Sequence, residues 1–252
     1  MMNKLISIIL PYYKKKKFII KTLSSIYSQS YKNFELIIIY DDQNKDDFIF
    51  INNYIKSKRL KNAYIINNKK NIGVGLSRNL GVNKSRGKFI AFIDADDYWL
   101  KNKLKYQINF MIKKKIDFSH TSYFIVDELN KKIKEININK KINHKQLLRS
   151  CDIGLSTVMI KKKILKNFRF SPLKTKEDYV LWLKLSKKKN RFIRNPKALT
   201  CWRETSNSLS SSVLQKLINA FEVYNQYLKF NLIKSIFFTF ILSVNAIKKR
   251  YL

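Results

Sequence analysis

An apolar run that ends in three acidic residues within four positions limits the possible folds more than any other feature of this sequence. Residues 89–93 lack the polar alternation of a strand with one face in water, which predicts a parallel strand buried on both faces. Asp94, Asp96 and Asp97 follow at its carboxyl end, where α/β sheets place their binding groups. Three adjacent carboxylates repel one another, so we expect a cation beside them, most simply a divalent metal.

Strand and helix patterns alternate from the start of the chain up to this run. Continuous apolar runs predict strands, and apolar residues at helical spacing predict helices. The strands are expected at 5–10, 35–40, 63–66 and 89–93, and the helices at 18–29, 48–57 and from Gly75 onward. We expect Pro11 to end the first strand, because proline has no amide hydrogen to donate. The alternation predicts an α/β fold with a doubly wound, mostly parallel sheet flanked by helices.

The start of the third helix has two interpretations. Gly73 and Gly75 precede apolar residues, so the free amides of this helix start can face an anion, although a plain turn explains the glycines equally well. Arg78 lies one turn further on and can grip a nucleotide with its planar donors. The alternative for Arg78 is a surface ion pair.

A second acidic landmark lies in the later half of the chain, at the start of a predicted helix. Thr175 suits the N-cap, and Glu177 and Asp178 fall in the first turn, where carboxylates favour the positive end of the helix dipole. The competing interpretation is that Asp178 projects into a cleft as a general base. We expect Trp182, with its apolar neighbours, to be a core residue.

Other parts of the later half give coarser expectations. We predict a helix at 102–114, a strand at 118–126, a surface hairpin or loop at 130–143 and a return to the sheet within 151–160. Residues 199–212 combine a strand end, Arg203 and a Ser-rich segment, a composition typical of mobile lids and equally of idle linkers.

The charge of the chain is strongly positive, with 52 Lys and Arg against 17 Asp and Glu and a formal net charge of +35. Such a charge suits nucleic acid or an anionic membrane surface. Lysine, isoleucine and asparagine are frequent in every part of the chain, however, as an AT-rich coding bias leaves them. We therefore expect no specific nucleic-acid partner and keep an anionic inner-membrane surface as an open alternative.

The cysteines and the N-terminus bear on location. Cys151 and Cys201 form neither a CxxC nor a Cys/His pattern, so we expect reduced cysteines of a cytosolic protein. The apolar run 5–10 is too short for a signal-peptide core or a membrane span. The catalytic part is expected in the cytoplasm, free or peripheral on the cytoplasmic face of the membrane.

The C-terminal part is helical by pattern. Apolar residues recur at helical spacing through 213–228, and the apolar tail 232–247 ends in a basic cluster. Lys234 and Asn245 interrupt the tail, which is also short for a membrane crossing. It fits an interfacial helix on an anionic leaflet, or a helix packed on the domain or on a partner.

Taken together, four segments resemble the family 2 glycosyltransferases of the GT-A fold, over about 6–212. They are an opening strand and proline turn at 8–13, a helix and strand ending in two acids at 25–42, a segment ending in an Asp-x-Asp motif at 71–97, and Glu177-Asp178 with Trp182. Each segment is modest evidence alone, and their order and spacing carry the resemblance. It implies a GT-A domain at 1–212, with a nucleotide-binding half at about 1–99 and an acceptor half at about 100–212, and a C-terminal helical appendage at 213–252.

The resemblance implies an inverting transfer from a nucleotide-diphosphate sugar, assisted by Mg²⁺ or Mn²⁺. It assigns a role to each of the landmark residues. Donor binding would involve Pro11, Tyr13, Asp41, Asp42, Arg78 and Asp94, with Arg203 closing over the diphosphate from a lid; Asp96 and Asp97 would bind metal; Asp178 would be the catalytic base. The implied partners are the nucleotide-sugar donor and a glycan or lipid-linked acceptor, as in bacterial surface polysaccharide synthesis.

The sequence departs from the family pattern at several places and leaves two rival functions. Lys14 and Lys16 replace the usual asparagine and acid of the proline turn, Gln43 stands where glycine is usual, and Thr205 replaces a histidine. One rival is a sugar-nucleotidyltransferase, which would need a Gly-rich loop after the first strand. The other is a basic binding module for membrane or RNA, whose binding would weaken steeply with salt.

Overall fold

The computed structural model describes residues 4–138, 141–188, 192–205 and 213–251 of the chain. Within those ranges ten strands and eight α-helices form. The strands are β1 Ile6–Tyr12, β2 Phe34–Tyr40, β3 Ala63–Asn67, β4 Phe89–Phe92, β5 Tyr98–Trp99, β6 Phe118–Val126, β7 Lys132–Ile136, β8 Lys141–Ile142, β9 Met159–Lys161 and β10 Phe192–Arg203. The helices are α1 Lys16–Tyr27, α2 Lys45–Ser57, α3 Val74–Lys84, α4 Lys103–Lys113, α5 His144–Leu147, α6 Glu177–Lys187, α7 Val213–Glu222 and α8 Leu232–Tyr251.

The strands form one sheet, in the order β3-β2-β1-β4-β9-β6-β10-β5, with β7 paired to β6 and β8 paired to β10. Strands β3, β2, β1 and β4 are mutually parallel, whereas β9 and β5 run antiparallel to their neighbours. Because parallel strands end at the same edge, the exits of β1, β2 and β4 lie side by side. The α/β sheet flanked by helices that the sequence predicts is confirmed.

Two apolar cores sandwich the sheet. Ile8 and Leu10 belong to the core on one face and Ile9 to the core on the other, as expected for neighbouring residues on a strand. Every residue of β1, β2 and β4 is buried, which explains why their sequences show no polar alternation. Trp182 is fully buried, with its ring 5.1 Å from that of Phe118, so the prediction of a core position is correct.

Pro11 does not end the first strand, contrary to the prediction. It pairs with Ile39 inside β1, and the Tyr12 carbonyl still accepts a hydrogen bond of 2.9 Å from Asp41 N. Alternate residues of a strand point their backbone groups to the same neighbour, so Pro11 faces the β4 side, as Ile9 does. Pairing with β4 stops at Ile9, and the missing amide hydrogen of Pro11 therefore breaks no ladder bond.

The prediction that 130–143 is a surface hairpin or loop rather than core is also wrong in part, because some of its residues are buried. Strands β7 and β8 lie in this segment, and Ile136, Ile138 and Ile142 are buried in a core. The apolar residues at alternate positions 136 and 138 are a strand pattern, which the surrounding lysines and asparagines hide at the level of composition.

The C-terminal helices pack on the sheet domain. Ala220, Val223, Tyr224 and Leu242 join the same core as Trp182. Of the helices in the described ranges, none combines the length and the apolar character that a membrane crossing requires. The division at 212/213 stays a prediction.

Candidate active site

The candidate site lies where β1, β2 and β4 end beside the starts of α3 and α6. Its floor is the acidic turn after β4, in which Asp97 N donates to Asp94 O at 3.1 Å. Helix α1 supports the turn from below, because Thr22 Oγ1 lies 2.9 Å from Ala95 O and 2.7 Å from Asp97 O. The backbone of the turn is therefore fixed before any ligand binds.

The three acids of the turn have three different partners. Asp94 Oδ1 lies 2.7 Å from Arg78 Nη2, and Asp96 Oδ2 lies 2.8 Å from Lys15 Nζ. Asp97 Oδ1 accepts a hydrogen bond of 2.9 Å from Arg203 N. The described residues contain no group of three His, Cys, Asp or Glu side chains arranged to hold a metal. Two of the cations that the acid cluster requires are thus supplied by the chain itself.

Negative charge in the turn remains undercompensated. Burial raises the pKa of Asp96 above its usual value, as does Asp94, while Lys15 opposes the shift. Burial raises the pKa of Asp97 well above its usual range, with Asp96 and Asp94 adding to the effect. Asp97 Oδ2 is buried and has no hydrogen-bond partner among the described residues. A divalent cation beside these carboxylates would offset their charge, and carboxylate oxygens are ligands that such ions accept.

Arg78 connects the acidic turn to the start of α6. Its side chain is buried, and its two terminal nitrogens pair with Asp94 and Glu177. Burial alone would lower the pKa of Arg78, but Asp94 and Glu177 raise it above its ordinary value. The guanidinium also lies 5.5 Å from the ring centroid of Phe170. The surface ion pair considered for Arg78 is therefore excluded by its burial.

Asp178 lies in the first turn of α6, beside this ion pair. Burial, and after it Glu177, raise the pKa of Asp178, Arg78 opposes the shift, and the resulting pKa is about 7. Its Oδ1 accepts a hydrogen bond of 2.7 Å from Tyr179 N. A carboxyl group with a pKa near neutrality can exchange protons at physiological pH, as a general base must.

The helix start itself differs from the prediction, because Thr175 is not the N-cap. Lys176 holds that position, in the left-handed conformation with φ 63°. Thr175 Oγ1 instead lies 2.8 Å from the side-chain amide of Asn219 on α7. Helix α7 therefore braces the segment that leads into Asp178.

The anion bound beside the Gly-x-Gly segment is a side chain of the protein itself, the carboxylate of Asp41. The Asp41 carboxylate accepts hydrogen bonds of 2.9 Å from both Ile72 N and Gly73 N, and one of 2.7 Å from Asn68 Nδ2. Gly73 has φ 86°, which a residue with a side chain rarely adopts. The two amides just before α3 thus hold Asp41, and this contact explains the positive φ turn at Gly73 without a bound phosphate.

Gly75 allows α3 to approach the start of α6 closely, and we expect Gly75→Ala to lower the free energy of unfolding by about 1–3 kcal/mol through overpacking. A Cβ there would lie 2.1 Å from Ser171 O and 3.3 Å from the Glu177 side chain. Urea denaturation measures the change. Gly154→Ala is the control, because its Cβ would meet nothing nearer than 3.8 Å. Equal stability of the two variants would contradict the close packing of α3 on this segment.

The exits of β1 and β2 form the predicted nucleotide side of the site. Asp42 Oδ2 accepts a hydrogen bond of 2.9 Å from Lys14 N. Lys14 has a positive φ of 49°, so the Asp42 carboxylate holds the turn after β1 in place. The adjacent Tyr13 is exposed and can cover one face of a planar base. Pro11 is buried within β1 and shapes this wall through its backbone.

The structure corrects the expectation that Arg203 is carried by a mobile lid. Arg203 ends β10 and is buried. Its Nε donates to Asp96 O at 2.8 Å, and its other nitrogens donate to Asp127 O, Glu128 O and Asn130 Oδ1. Arg203 therefore positions the acidic turn. The Ser-rich residues 206–212 lie outside the described residues.

Sequence reasoning missed two participants in the site. Lys15 pairs with Asp96, and its Nζ lies 3.4 Å from Thr205 Oγ1. Nothing in the run 14–17 distinguishes this lysine from its neighbours. Glu177 was expected to favour the helix dipole and to belong to the acidic motif of the family resemblance, but its pairing with Arg78 was not predicted.

Comparison with known proteins places the chain in a family. The sequence model of the family described as "Glycosyl transferase family 2" matches residues 7–169. WfgD of Escherichia coli, a UDP-Glc:alpha-D-GlcNAc-diphosphoundecaprenol beta-1,3-glucosyltransferase, is 32% identical over 251 residues, which cover 97% of this chain and 94% of WfgD.

Solved structures share the fold. TarS 1-349 of S. aureus, in complex with UDP-GlcNAc, has a TM-score of 0.73 and 22% identity, covering 88% of this chain and 65% of that one. The mannosyltransferase PcManGT of Pyrobaculum calidifontis, in complex with GDP-Man and Mn²⁺, has a TM-score of 0.69 and 11% identity, covering 90% of this chain and 64% of that one. These likenesses confirm the GT-A fold that the sequence resemblance implied.

Proposed function

The chain belongs to glycosyl transferase family 2, and we propose that it moves a sugar from a nucleotide-diphosphate donor to an acceptor hydroxyl with inversion at the anomeric carbon. Family membership supports this reaction over a sugar-nucleotidyltransferase and over a binding module without activity. The role of each residue below is part of the proposal.

The observation that carries the proposal is the Arg78 bridge. Arg78 pairs with Asp94 in the acidic turn and with Glu177 in the first turn of α6. It thereby links the turn that carries Asp96 to the helix start that carries Asp178, although these residues are distant in sequence. An inverting displacement requires a diphosphate site and a proton acceptor that are held in fixed positions relative to each other.

The chemical step uses Asp178 as the base. Its carboxylate takes the proton of the acceptor hydroxyl while the hydroxyl oxygen forms a bond to the anomeric carbon. The bond from that carbon to the diphosphate breaks on the opposite face, and the diphosphate leaves with the electron pair. A single displacement of this kind needs no covalent intermediate.

The donor is held by the sheet edge. We propose that Tyr13, Asp41 and Asp42 contact the nucleotide base, since a carboxylate oxygen that already accepts one backbone bond can accept another. Arg78 and Asp94 define the ribose side of the site. Pro11 shapes the nucleotide wall through its place in β1.

Asp96 is the residue we assign to a divalent metal. When bound there, Mg²⁺ or Mn²⁺ would offset charge on the departing diphosphate. The sequence predicts Asp97 as a second ligand, but its carboxylate is buried against Arg203 N, so we assign it to holding the turn. We likewise assign Arg203 to positioning the turn, since its guanidinium is engaged with the backbone and Asn130.

For the acceptor we propose a glycan or a lipid-linked glycan of the bacterial cell envelope. The relative WfgD, which is named for a diphosphoundecaprenol-linked acceptor, supports this class. We place the reaction in the cytoplasm, at the inner face of the membrane. Cys151 and Cys201 lie in neither a CxxC nor a Cys/His pattern, and Cys201 is buried, which suits a reducing compartment.

A donor screen tests the function. UDP-, GDP- and dTDP-sugars are offered with and without Mg²⁺ or Mn²⁺, and binding and nucleoside diphosphate release are measured. We expect metal-dependent binding of one nucleotide class. Asp96→Asn should weaken metal-dependent donor binding strongly. Loss of a residue that only hydrogen-bonds to a metal ligand typically costs roughly ten- to hundred-fold, and loss of the ligand itself should cost more. Asp117→Asn, a partly exposed acid paired with Lys161 and Lys163, is the matched control. Absence of any metal-dependent donor binding, or equal binding by both variants, would refute the assignment.

A further inference from the structure

Helix α8 has apolar residues on two opposite faces, and the described residues cover one of them. The inner face packs on the domain through Phe238 and Leu242, with Phe238 stacked 5.5 Å from Tyr224. Ser235 lies on the same face and is fully buried. Because this face is packed from Ser235 to Asn245, the middle of α8 lies against the domain.

The outer face carries large apolar side chains that are exposed. Residue spacings of three, four and seven place them on one stripe of an α-helix, opposite to the inner face. This outer stripe consists of Ile233, Ile236, Phe237, Phe240 and Ile247. Ile233 is 80% exposed and Phe240 is 67% exposed. Several large apolar residues exposed together mark an interaction surface rather than a solvated helix face.

The surroundings of the outer stripe are apolar and basic. Helix α7, which packs beside α8, exposes Leu214, Leu217 and Ile218. Helix α8 has basic residues near both ends, of which Lys234 and Lys248 are exposed, and its sequence contains no acid. An apolar stripe with flanking lysines is complementary to a bilayer surface that carries anionic headgroups. A second copy of the chain would bring another net charge of +35, so electrostatic repulsion between the copies disfavours it.

We propose that the outer stripe of α8, together with the exposed face of α7, docks on an anionic lipid bilayer with α8 parallel to its surface. The packed inner face allows the helix to immerse its outer side chains without leaving the domain. The docking itself does not depend on the proposed function. Its role does, because docking would bring the site to a lipid-linked acceptor.

The docking face and the base belong to one packed unit. Asn219 of α7 contacts Thr175, two residues before α6 begins, and Tyr224 Oη lies 2.9 Å from Tyr179 Oη in the first turn of α6. Asp178 lies in that same turn. A bilayer that holds α7 and α8 therefore also sets the distance between Asp178 and an acceptor embedded in the same leaflet.

Vesicle flotation of the full chain tests the proposal. We expect binding to vesicles of phosphatidylglycerol and phosphatidylcholine, and little binding to phosphatidylcholine alone. Phe237→Glu/Phe240→Glu should weaken binding at least about ten-fold, since two apolar anchors become charged. The matched control is Ile49→Glu/Ile112→Glu, which alters exposed apolar residues on α2 and α4 and should bind as the unmodified chain does.

A second variant keeps the test decisive if the first fails to fold. Lys234→Gln/Lys248→Gln should weaken binding about five-fold per lysine and reduce its dependence on anionic lipid. Donor hydrolysis without vesicles should be unchanged in both α8 variants, which separates docking from catalysis. Equal vesicle binding by all variants, no binding by the unmodified chain, or a dimer in solution that only the α8 variants dissolve would overturn the proposal.

Discussion

Replacing Asp178 by Asn is expected to lower the rate of sugar transfer by about a hundred- to ten-thousand-fold, the usual contribution of a general base, with donor binding retained. Asparagine keeps the shape of the side chain and its hydrogen bond from Tyr179 N. It cannot take the acceptor proton. Release of nucleoside diphosphate measures the rate, and calorimetry with the intact donor measures binding.

The pH profile gives a second readout of the same residue. Burial first, and Glu177 next, raise the pKa of Asp178, Arg78 lowers it, and the resulting pKa is about 7. The base must be ionised, so kcat/KM should fall as pH drops through about 7. Glu177→Gln removes a neighbouring negative charge, so it should lower the pKa of Asp178 and move the fall in kcat/KM to lower pH.

The exposed acid Asp46 supplies the control, and Asp46→Asn should leave rate and profile unchanged. Transfer that survives in Asp178→Asn would remove the residue from the chemistry. Loss of donor binding together with transfer would assign Asp178 to the architecture of α6 instead.

Arg78→Met should lower the free energy of unfolding by about 3–5 kcal/mol, because it leaves the carboxylates of Asp94 and Glu177 without their shared cation. Removing one partner of a buried ion pair leaves the other charge buried and unpaired, whereas removing both charges does not. Arg78→Met/Glu177→Gln should therefore lose less than the sum of the two single variants. Chemical denaturation of the three variants measures the coupling.

Arg169→Met is the matched control, since Arg169 is exposed, and we expect a change within about 0.5 kcal/mol. Additive losses in the double variant would show that Arg78 and Glu177 do not depend on each other. In that case the bridge between the acidic turn and α6 would have no energetic basis.

The strands that carry the site were predictable because their burial leaves a simple mark. An all-apolar run followed by acids identifies β4 and its turn, and the same logic identifies β2 with Asp41 and Asp42. The acidic pair at 177–178 was predicted to start a helix, and it does. In each case the information is local, within a few residues of the element it describes.

The features that the sequence did not predict have a common cause. Each depends on contacts with residues that are distant in the sequence. Whether Pro11 interrupts a strand depends on where β4 stops pairing. Which lysine of the run 14–17 meets Asp96 depends on the positive φ of Lys14. Arg203 was expected on a lid because serines follow it, but its partners lie near residue 128 on another loop. No periodicity in the sequence records such contacts.

The Arg78 bridge also bears on how the protein becomes active during synthesis. Its two paired residues Arg78 and Glu177 are separated by 99 positions, so the contact cannot close until the second half of the chain has emerged and folded. Strands β1 to β4 can assemble earlier from nearer neighbours. A nascent chain would thus hold a nucleotide-facing sheet edge before it holds a base, and competence for transfer would arise only after this long-range contact has closed.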